Sequence, residues 1–564
     1  MKQHAENKSS FWGEFVPKSW LFLNGNYSWN LFRSDLLAGI TVGVVALPLA
    51  MAFAIASGVS PEKGLYTAII AGFLISLLGG SRFQIGGPTG AFVVIIYGII
   101  ESSGYEGLVI ASLIAAVILL IAAFSRLGSL IKYIPYPLVT GFTTGIAVII
   151  FSSQVKDFCG LKMAQVPADF IPKWLAIFSA LPTLDSTTFL VASGTLALIV
   201  LIRRLFPILP WGITAVAIAT AVSMALNLPL ETIASRFGEI KRALPLPALP
   251  DFSLPLSNWH TLIPDAITIA FLAGIESLLS AVVADGMAGT RHRSNCELMA
   301  QGVANIGSML FGGIPATGAI ARTATNVKTG GKTPVAGMIH ALTLLVIVLL
   351  FAPIVSQIPL AALAAVLMVV AWNMSEIEHF RHLFKAPAGD VAVLLTTFLL
   401  TVLVDLTVAV EAGMIIALFL FMRRMGEASQ IVSLTALDKE YSATSEKYDL
   451  EKLEKKHLPS GVEVYEITGP FFFGVADSLR NVLTNFEAPP KAFILRMRKV
   501  PAIDASGMHA LREFYHHCKR DNTTLLLSGI NPRLLNKLKK FGLLDLIGEQ
   551  HIFSHTADAI KSLH

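Results

Sequence analysis

Two short segments combine glycine and proline within apolar surroundings: GGPTGA at residues 86–91 and GIPATGA at residues 313–319. Gly and Pro weaken a helix interior by about 1 and 3 kcal/mol respectively, so both segments interrupt the runs that contain them. Each proline suits the first turn of a following half-helix. Free N–H groups and a positive dipole end would make each half-helix start an anion site that needs no lysine. Ordinary kinks or loops are the alternative.

Glu276 lies in the middle of another apolar run, and Ser280 follows four residues later on the same helical face. A charged group in lipid is costly unless it is paired or faces water, so Glu276 is a functional candidate. A protonated carboxyl group carries a proton, whereas an ionised one helps to hold a sodium ion. The alternative is a protonated glutamate that hydrogen-bonds between helices as a packing element.

Three further positions have more than one interpretation. Arg322 follows the second interruption and either provides positive potential, neutralises Glu276 or snorkels to the cytoplasmic edge. Phe53 either walls a cavity or only packs. Ser294 and Glu297 have the spacing of a capping box at a helix start.

Membrane-spanning helices must position these residues. The chain has 564 residues, of which 54% are hydrophobic and 14% charged, whereas a soluble domain has about 25% charged residues. The apolar runs predict a multi-span α-helical membrane protein with about fourteen spans. The interrupted runs are the third and tenth, which predicts a seven-plus-seven inverted repeat whose half-helix N-termini face each other near the midplane.

The distribution of charge predicts the topology. Lys and Arg cluster at every second span boundary, with Lys156 and Lys162 as an exception, so both termini are expected in the cytoplasm. The net charge of +5 is mild, and the cations occupy short loops, which does not indicate nucleic-acid binding. The three cysteines are too widely spaced to predict a disulfide or a zinc site.

Several spaced motifs resemble the SulP family of anion transporters. They are DLLAGITVG at 35–43, Pro48, Ser57-Gly58, GLY at 64–66, GPT at 87–89 and GGKT at 330–333. Within the family, residues 79–83, 284–292 and 368–376 are most similar to bacterial DauA-type dicarboxylic acid transporters. BicA-like bicarbonate carriers are a weaker match.

The resemblance implies core and gate subdomains, an elevator-like cycle and a homodimer. It also implies an anion site between the third and tenth half-helices, at the matching positions Phe53, Thr89, Gly90, Ala91, Gly318, Ala319, Ile320 and Arg322. The coupling positions that it implies are Glu276 and Ser280, with a sodium ion near Glu276 as one option.

Three residues depart from the family pattern. Leu49 stands where a glutamine is frequent, Ile320 where some bicarbonate carriers have threonine, and Glu276 where some have aspartate. These departures weaken the sulfate and sodium–bicarbonate assignments without excluding them.

The C-terminal part has a different pattern. Strand-like segments at 462–467, 491–498 and 523–527 alternate with helical segments at 505–519 and 531–540, which predicts a small α/β domain. The expected organisation is a cytoplasmic N-terminal segment at 1–33, a transport domain at 34–425, a linker at 426–460 and the α/β domain at 461–564.

This tail resembles a STAS domain through GPFFF at 469–473 and DASGM at 504–508. The serine that matches Ser506 is a phosphorylation site in related anti-sigma-factor antagonists, and phosphate is favoured at a helix N-terminus. Alternatively, Asp504 and Ser506 only cap the helix. A cytoplasmic protein partner at this domain is a further expectation.

The leading functional hypothesis is a proton- or sodium-coupled symporter of C4-dicarboxylates in a bacterial inner membrane. Bicarbonate or sulfate transport, an uncoupled anion channel and a membrane-tethered signalling protein remain open. An enzyme is disfavoured because we find no nucleophile–base set, metal-ligand cluster or nucleotide-binding motif. No cofactor, resident metal or nucleic-acid partner is expected.

Overall fold

The computed structural model describes most of the chain. The described residues are 11–23, 27–129, 135–163, 166–167, 169–206, 209–243, 245–248, 259–427, 429–434, 459–472, 479, 482 and 489–563. The chain divides into two compact units, Met1–Ala417 and Leu418–His564.

The first unit is helical. Its helices are α1 Lys18–Leu23, α2 Trp29–Ala56, α3 Pro61–Leu78, α4 Gly90–Phe124, α5 Tyr136–Cys159, α6 Phe170–Ala180, α7 Ser186–Leu205, α8 Trp211–Ala225, α9 Ile233–Phe237, α10 Trp259–Ala288, α11 Ser294–Leu310, α12 Ile320–Lys328, α13 Val335–Ser356, α14 Leu360–Met374, α15 Ile377–Leu383 and α16 Ala388–Leu403. Helix α17, Leu406–Glu427, begins in the first unit and ends in the second. Within the described residues, nine helices are long and apolar enough to cross a membrane, and α8 and α16 are shorter apolar helices. The chain is therefore a multi-pass membrane protein, as predicted.

Local sequence signals set several helix ends. The Ser28 hydroxyl accepts a hydrogen bond from Leu31 N at the start of α2, and Asp185 accepts one from Thr188 N at the start of α7. The φ angle of Gly104 is +67°, which breaks the path of α4 between the predicted third and fourth spans. Glycine adopts this conformation readily because it has no Cβ.

The packing of the helices repeats between the two halves. Helices α2 and α3 of the first half both pack against α13 of the second half. In the same way, α10 and α11 of the second half both pack against α4 of the first half. Helix α5 packs against α14 and α16. These related pairs follow the predicted seven-plus-seven arrangement, and they separate a group around α2–α4 and α10–α13 from a group around α5, α7, α14 and α16.

A buried carboxylate explains the GGKT motif. Asp35 accepts hydrogen bonds from Lys332 N at 2.7 Å, from Thr333 N at 3.0 Å and from the Tyr27 hydroxyl at 3.0 Å. This network ties the start of α2 to the turn between α12 and α13. Helix α2 begins at Trp29 and so extends into the segment expected to precede the transport domain.

The second unit is a five-stranded sheet with helices. Its elements are β3 Gln430–Ser433, β4 Val462–Thr468, β5 Ala492–Lys499, β6 Thr524–Ser528 and β7 Ile552–Phe553, with α18 Ala505–Arg520, α19 Pro532–Lys540, α20 Leu543–Ile547 and α21 Thr556–Lys561. The strand order is β3-β4-β5-β6-β7; β3 is antiparallel to β4, and the other pairs are parallel. The α/β prediction is confirmed, but β3 lies in the stretch predicted as a linker.

Candidate functional site

The two interrupted segments pair with each other. Strand β1, Gly86–Gly87, is antiparallel to β2, Thr317–Gly318, with Gly86 opposite Gly318 and Gly87 opposite Thr317. Ala319 N extends the pairing by donating to Ile85 O at 2.8 Å. The sequence analysis predicted two breaks but not this strand pair, because two-residue strands have no periodicity to detect.

A half-helix follows each strand. Thr89 is the N-cap of α4, and Ala319 is the N-cap of α12. Because the strands are antiparallel, the two helices leave the pair in opposite directions, and their N-termini converge on one region. The first-turn N–H groups of a helix have no intrahelical acceptor and carry its positive dipole end. The region therefore has the electrostatics of an anion site.

The prolines do not start the half-helices, contrary to the prediction. Pro88 precedes the N-cap of α4, and Pro315 precedes β2. Polar side chains instead satisfy the backbone of the breaks: Ala316 N donates to Asn305 Oδ1 at 2.8 Å, and Ile85 N donates to Thr323 Oγ1 at 3.0 Å. Such partners are required because unpaired backbone groups are costly in a membrane interior.

Two glycines in the strand pair cannot be replaced without displacement. A Cβ on Gly318 would lie 1.6 Å from Gln84 Nε2, which donates to Ser277 O at 3.1 Å. A Cβ on Gly87 would lie 2.7 Å from Arg322 Nη1, and the φ angle of Gly87 is +147°. Glycine at these positions lets the side chains of Gln84 and Arg322 approach the backbone.

Glu276 reaches the start of α4. The Thr89 hydroxyl donates to Glu276 Oε2 at 2.8 Å, and Glu276 is partly exposed while Thr89 is buried. Ser280, one turn further along α10, is fully buried and donates instead to Thr323 Oγ1 at 3.0 Å. The two predicted coupling positions therefore contact different half-helices.

Arg322 lies behind the strand pair. Its side chain is 2% exposed, and its Nη2 donates to Pro88 O. Its Nη1 is buried and has no hydrogen-bond partner among the described residues. The interpretation in which Arg322 snorkels to the cytoplasmic edge is therefore wrong. The guanidinium adds positive charge beside the half-helix starts and interacts electrostatically with Glu276.

The remaining predicted positions differ in exposure. Gly90 and Ala91 are buried at the start of α4, whereas Ile320, the first residue of α12, is 39% exposed. Phe53 is buried in an apolar cluster that also contains Ala91. Phe53 thus lies in the same large apolar core as the first turn of α4.

Two apolar residues of the second helix group cover the start of α4. A Cβ on Gly90 would lie 2.8 Å from Met374 Sδ and 3.2 Å from Ile150 Cδ1. Met374 ends α14, and Ile150 lies in α5. The sequence analysis did not identify these residues as part of the site, because apolar residues in apolar runs carry no distinguishing signal.

Glu297 does not form the predicted capping box. The N-cap of α11 is Arg293, and the fully buried Glu297 carboxylate accepts hydrogen bonds from Gly80 N at 2.9 Å, Ser81 N at 3.1 Å and Gln301 Nε2 at 3.1 Å. Capping-box spacing did not reveal these long-range partners. Glu297 holds the connection between α3 and β1 in place.

A cavity of about 490 Å³ lies along α4 beyond the site. Val93 and Tyr97, about one and two turns from Gly90, contribute to its lining. The charged lining residues are Lys156, Lys173, Arg236, Asp157, Asp169, Asp265 and Asp405. The cavity has a partly charged lining, and Lys156, an exception to the predicted charge pattern, belongs to it.

In the second unit, Asp504 caps α18. Its Oδ1 accepts a hydrogen bond from Gly507 N at 2.7 Å. Ser506 is exposed in the first turn of that helix. The capping interpretation therefore holds for Asp504, while the exposed hydroxyl of Ser506 leaves its modification as a prediction.

Comparisons with known proteins match both units. The sulfate permease family matches residues 32–397, and the STAS domain matches residues 455–559. A Bacillus subtilis protein with the provisional name sulfate transporter YvdB is 44% identical over 531 residues, which cover 94% of this chain and 97% of the relative. The bicarbonate transporter BicA of Picosynechococcus is 30% identical over 543 residues, which cover 94% of each chain.

Solved structures show the same fold. The murine Solute Carrier 26 family member A9 anion transporter, in the inward-facing state, has a TM-score of 0.86 at 18% identity, with coverage of 100% of this chain and 96% of that chain. The transmembrane domain of a cyanobacterial BicA has a TM-score of 0.60 at 31% identity, with coverage of 68% of this chain and 98% of that chain.

Proposed function

Because this chain belongs to the sulfate permease family, we propose that it is a secondary active transporter of small anions. The observation that carries this proposal is the convergence of two half-helix N-termini beside the buried Arg322. Backbone N–H groups would bind the anion, and the guanidinium would stabilise its charge from behind the strand pair.

Glu276 is the proposed coupling residue. Its carboxyl group contacts the N-cap of α4 through Thr89 and interacts with Arg322. Binding of a proton or a sodium ion at Glu276 would remove negative charge next to the incoming anion. Anion and cation would then favour each other's binding, which is the thermodynamic requirement for symport.

A C4-dicarboxylate is the proposed substrate, with bicarbonate and sulfate as alternatives. Residues 368–376, which resemble the DauA-type sequence, include Met374 over the start of α4. The hydrocarbon centres of succinate (two methylene groups) and fumarate (a CH=CH unit) suit this apolar cover better than sulfate does. The names of the relatives favour sulfate or bicarbonate, so uptake experiments must compare all three.

Transport is proposed to follow an elevator-type cycle in which the group around α4 and α12 moves against the group around α5 and α14. We also propose a homodimer in a bacterial inner membrane with both termini in the cytoplasm. Phosphorylation of Ser506 or binding of a cytoplasmic protein at the STAS domain would regulate transport.

Uptake into proteoliposomes tests the proposed function. The purified full-length protein is reconstituted, and uptake of labelled succinate, bicarbonate and sulfate is measured with and without imposed pH and sodium gradients. We expect saturable succinate uptake that one gradient stimulates. Preference for another of the three anions would replace the substrate, and no saturable uptake of any would refute the transporter assignment.

A further inference from the structure

Three cations from separate segments meet at the C-terminal end of α3. Lys18 N donates to Gly79 O at 3.0 Å, and Arg293 N donates to Gly80 O at 3.0 Å. Arg82 follows Gly80 by two residues. Backbone hydrogen bonds therefore hold the three positions together independently of their side chains.

Their side chains lack carboxylate partners. Among the residues that the structure describes, Lys18, Arg82 and Arg293 form no ion pair with Asp or Glu. Arg293 Nη1 donates to Val16 O at 2.5 Å, and the Arg82 guanidinium lies 4.9 Å from the centroid of the Phe22 ring. The Nε atom of Arg82 is buried without a hydrogen-bond partner in this part of the chain.

The nearby acids already have partners. Asp285 accepts hydrogen bonds from the backbone and ring of His292, each at 2.7 Å, and Glu14 pairs with Arg126 at 3.5 Å. The pKa of Lys18 lies below its ordinary value, first because of burial and then because of the charges of Arg293 and Arg82, with a smaller opposing effect from Asp285. Glu297, which accepts from Gly80 N and Ser81 N, is a second carboxylate beside the cluster. The three cations outnumber Asp285 and Glu297, so the cluster keeps a net positive charge that an external anion would balance.

Exposed aromatic residues occur in α1, the helix that carries Lys18, and at the start of α2. Trp20 in α1 is 61% exposed and Trp29 at the start of α2 is 63% exposed. Arg33 lies 5.5 Å from the Trp29 ring. Exposed tryptophans and adjacent cations are typical of the level of the lipid headgroups.

We propose that Lys18, Arg82 and Arg293 bind the phosphate group of an anionic phospholipid at the membrane surface that α1 contacts. Phosphate oxygens would pair with the charged ends of the partly exposed Lys18, Arg82 and Arg293 side chains, and the exposed ring of Trp20 offers an apolar surface to the rest of the lipid. A free phosphate ion would use only the cations. The bound lipid would hold α1 against the connection between α3 and β1.

Native mass spectrometry of the full-length protein with phosphatidylglycerol or phosphatidylcholine tests this site. We expect retained phosphatidylglycerol in the wild type. Lys18→Gln and Arg82→Gln should each weaken its binding roughly fivefold, as expected for loss of one cation near a membrane surface. Arg381→Gln removes an exposed cation in α15 and is the matched control.

Arg82→Lys distinguishes loss of charge from loss of folding. It keeps a cation at this position, so it should retain most of the phosphatidylglycerol binding. The melting temperature of each variant is measured in parallel. Equal retention of phosphatidylglycerol by the wild type and both glutamine variants would overturn the site. Equal retention of phosphatidylcholine, or complete displacement by millimolar inorganic phosphate, would overturn the assignment to an anionic lipid. Anion uptake is not part of this readout, so the proposed function stands or fails separately.

Discussion

The two half-helix starts share one backbone geometry but differ in what covers them. At the start of α4, Gly90 is buried beneath Met374 and Ile150. At the start of α12, Ile320 is 39% exposed. The start of α4 is therefore the covered side of the site, and the start of α12 is its open side. The two sides belong to different halves of the repeat.

Their polar chemistry differs as well. Thr89 at the N-cap of α4 donates to Glu276, whereas Ala319 at the N-cap of α12 has no side-chain polar atom. The second half-helix provides Arg322 instead. We infer that the repeat supplies the half-helix geometry twice, while unequal side chains place Glu276, the proposed coupling residue, on the α4 side and the fixed cation Arg322 on the α12 side.

Gly318→Ala should have the largest effect because it disrupts the geometry that both halves share. The new Cβ would collide with Gln84 Nε2 and displace the side chain that bonds to Ser277 O. Overpacking costs about 1–3 kcal/mol or more, so we expect a lower melting temperature and loss of anion uptake. Gly286→Ala in α10, which meets no atom within 4 Å, is the control. Wild-type uptake by Gly318→Ala would show that the strand pair is not a strict requirement.

Arg322→Gln should remove the fixed cation while keeping a hydrogen-bond donor near Pro88 O. Removal of a buried charged partner costs about 2–5 kcal/mol, so we expect uptake at low anion concentration to fall on the order of 100-fold. Initial uptake rates and melting temperature are measured together. Arg322→Lys should recover part of the uptake. If Arg322→Gln changes only stability, the arginine is a structural element and the proposed division between the halves fails.

Composition and hydrophobic pattern were sufficient to predict the membrane fold and the α/β tail, and the resemblance of spaced motifs to a known family predicted the family. Long apolar helices appear in one sequence as apolar runs, and the Gly–Pro breaks at residues 86–91 and 313–319 appear as interruptions of those runs. The family match confirms the SulP and STAS assignments and the expectation of a transporter.

The contacts between distant segments could not be predicted in the same way. Glu297 has capping-box spacing from Ser294, yet two of its partners, Gly80 and Ser81, are more than 200 residues away. Met374 and Ile150 became part of the site only through tertiary packing. Local spacing determines which bonds are available to a residue, whereas the folded chain determines which of them form.

Glu276→Gln tests the coupling role of the α4 side. The amide oxygen can still accept the Thr89 hydroxyl, so the fold should persist while the ionisable group is lost. If one proton is coupled, a gradient of one pH unit supports about tenfold accumulation, and this component should disappear. Uptake is measured with and without the pH gradient, and again with a sodium gradient. Unchanged stimulation by the gradients would exclude Glu276 from coupling.

Met374→Ala tests the apolar cover and should have the smallest effect. Truncation opens space over Gly90 without removing a charge or a hydrogen bond, so anions bulkier than succinate should gain relative to it. We expect the ratio of methyl-substituted succinate to succinate uptake to rise about fivefold, which corresponds to about 1 kcal/mol for one apolar contact. Met374→Leu conserves volume and is the control. An equal ratio in wild type and Met374→Ala, with uptake intact, would mean that substrate size is selected on the open α12 side.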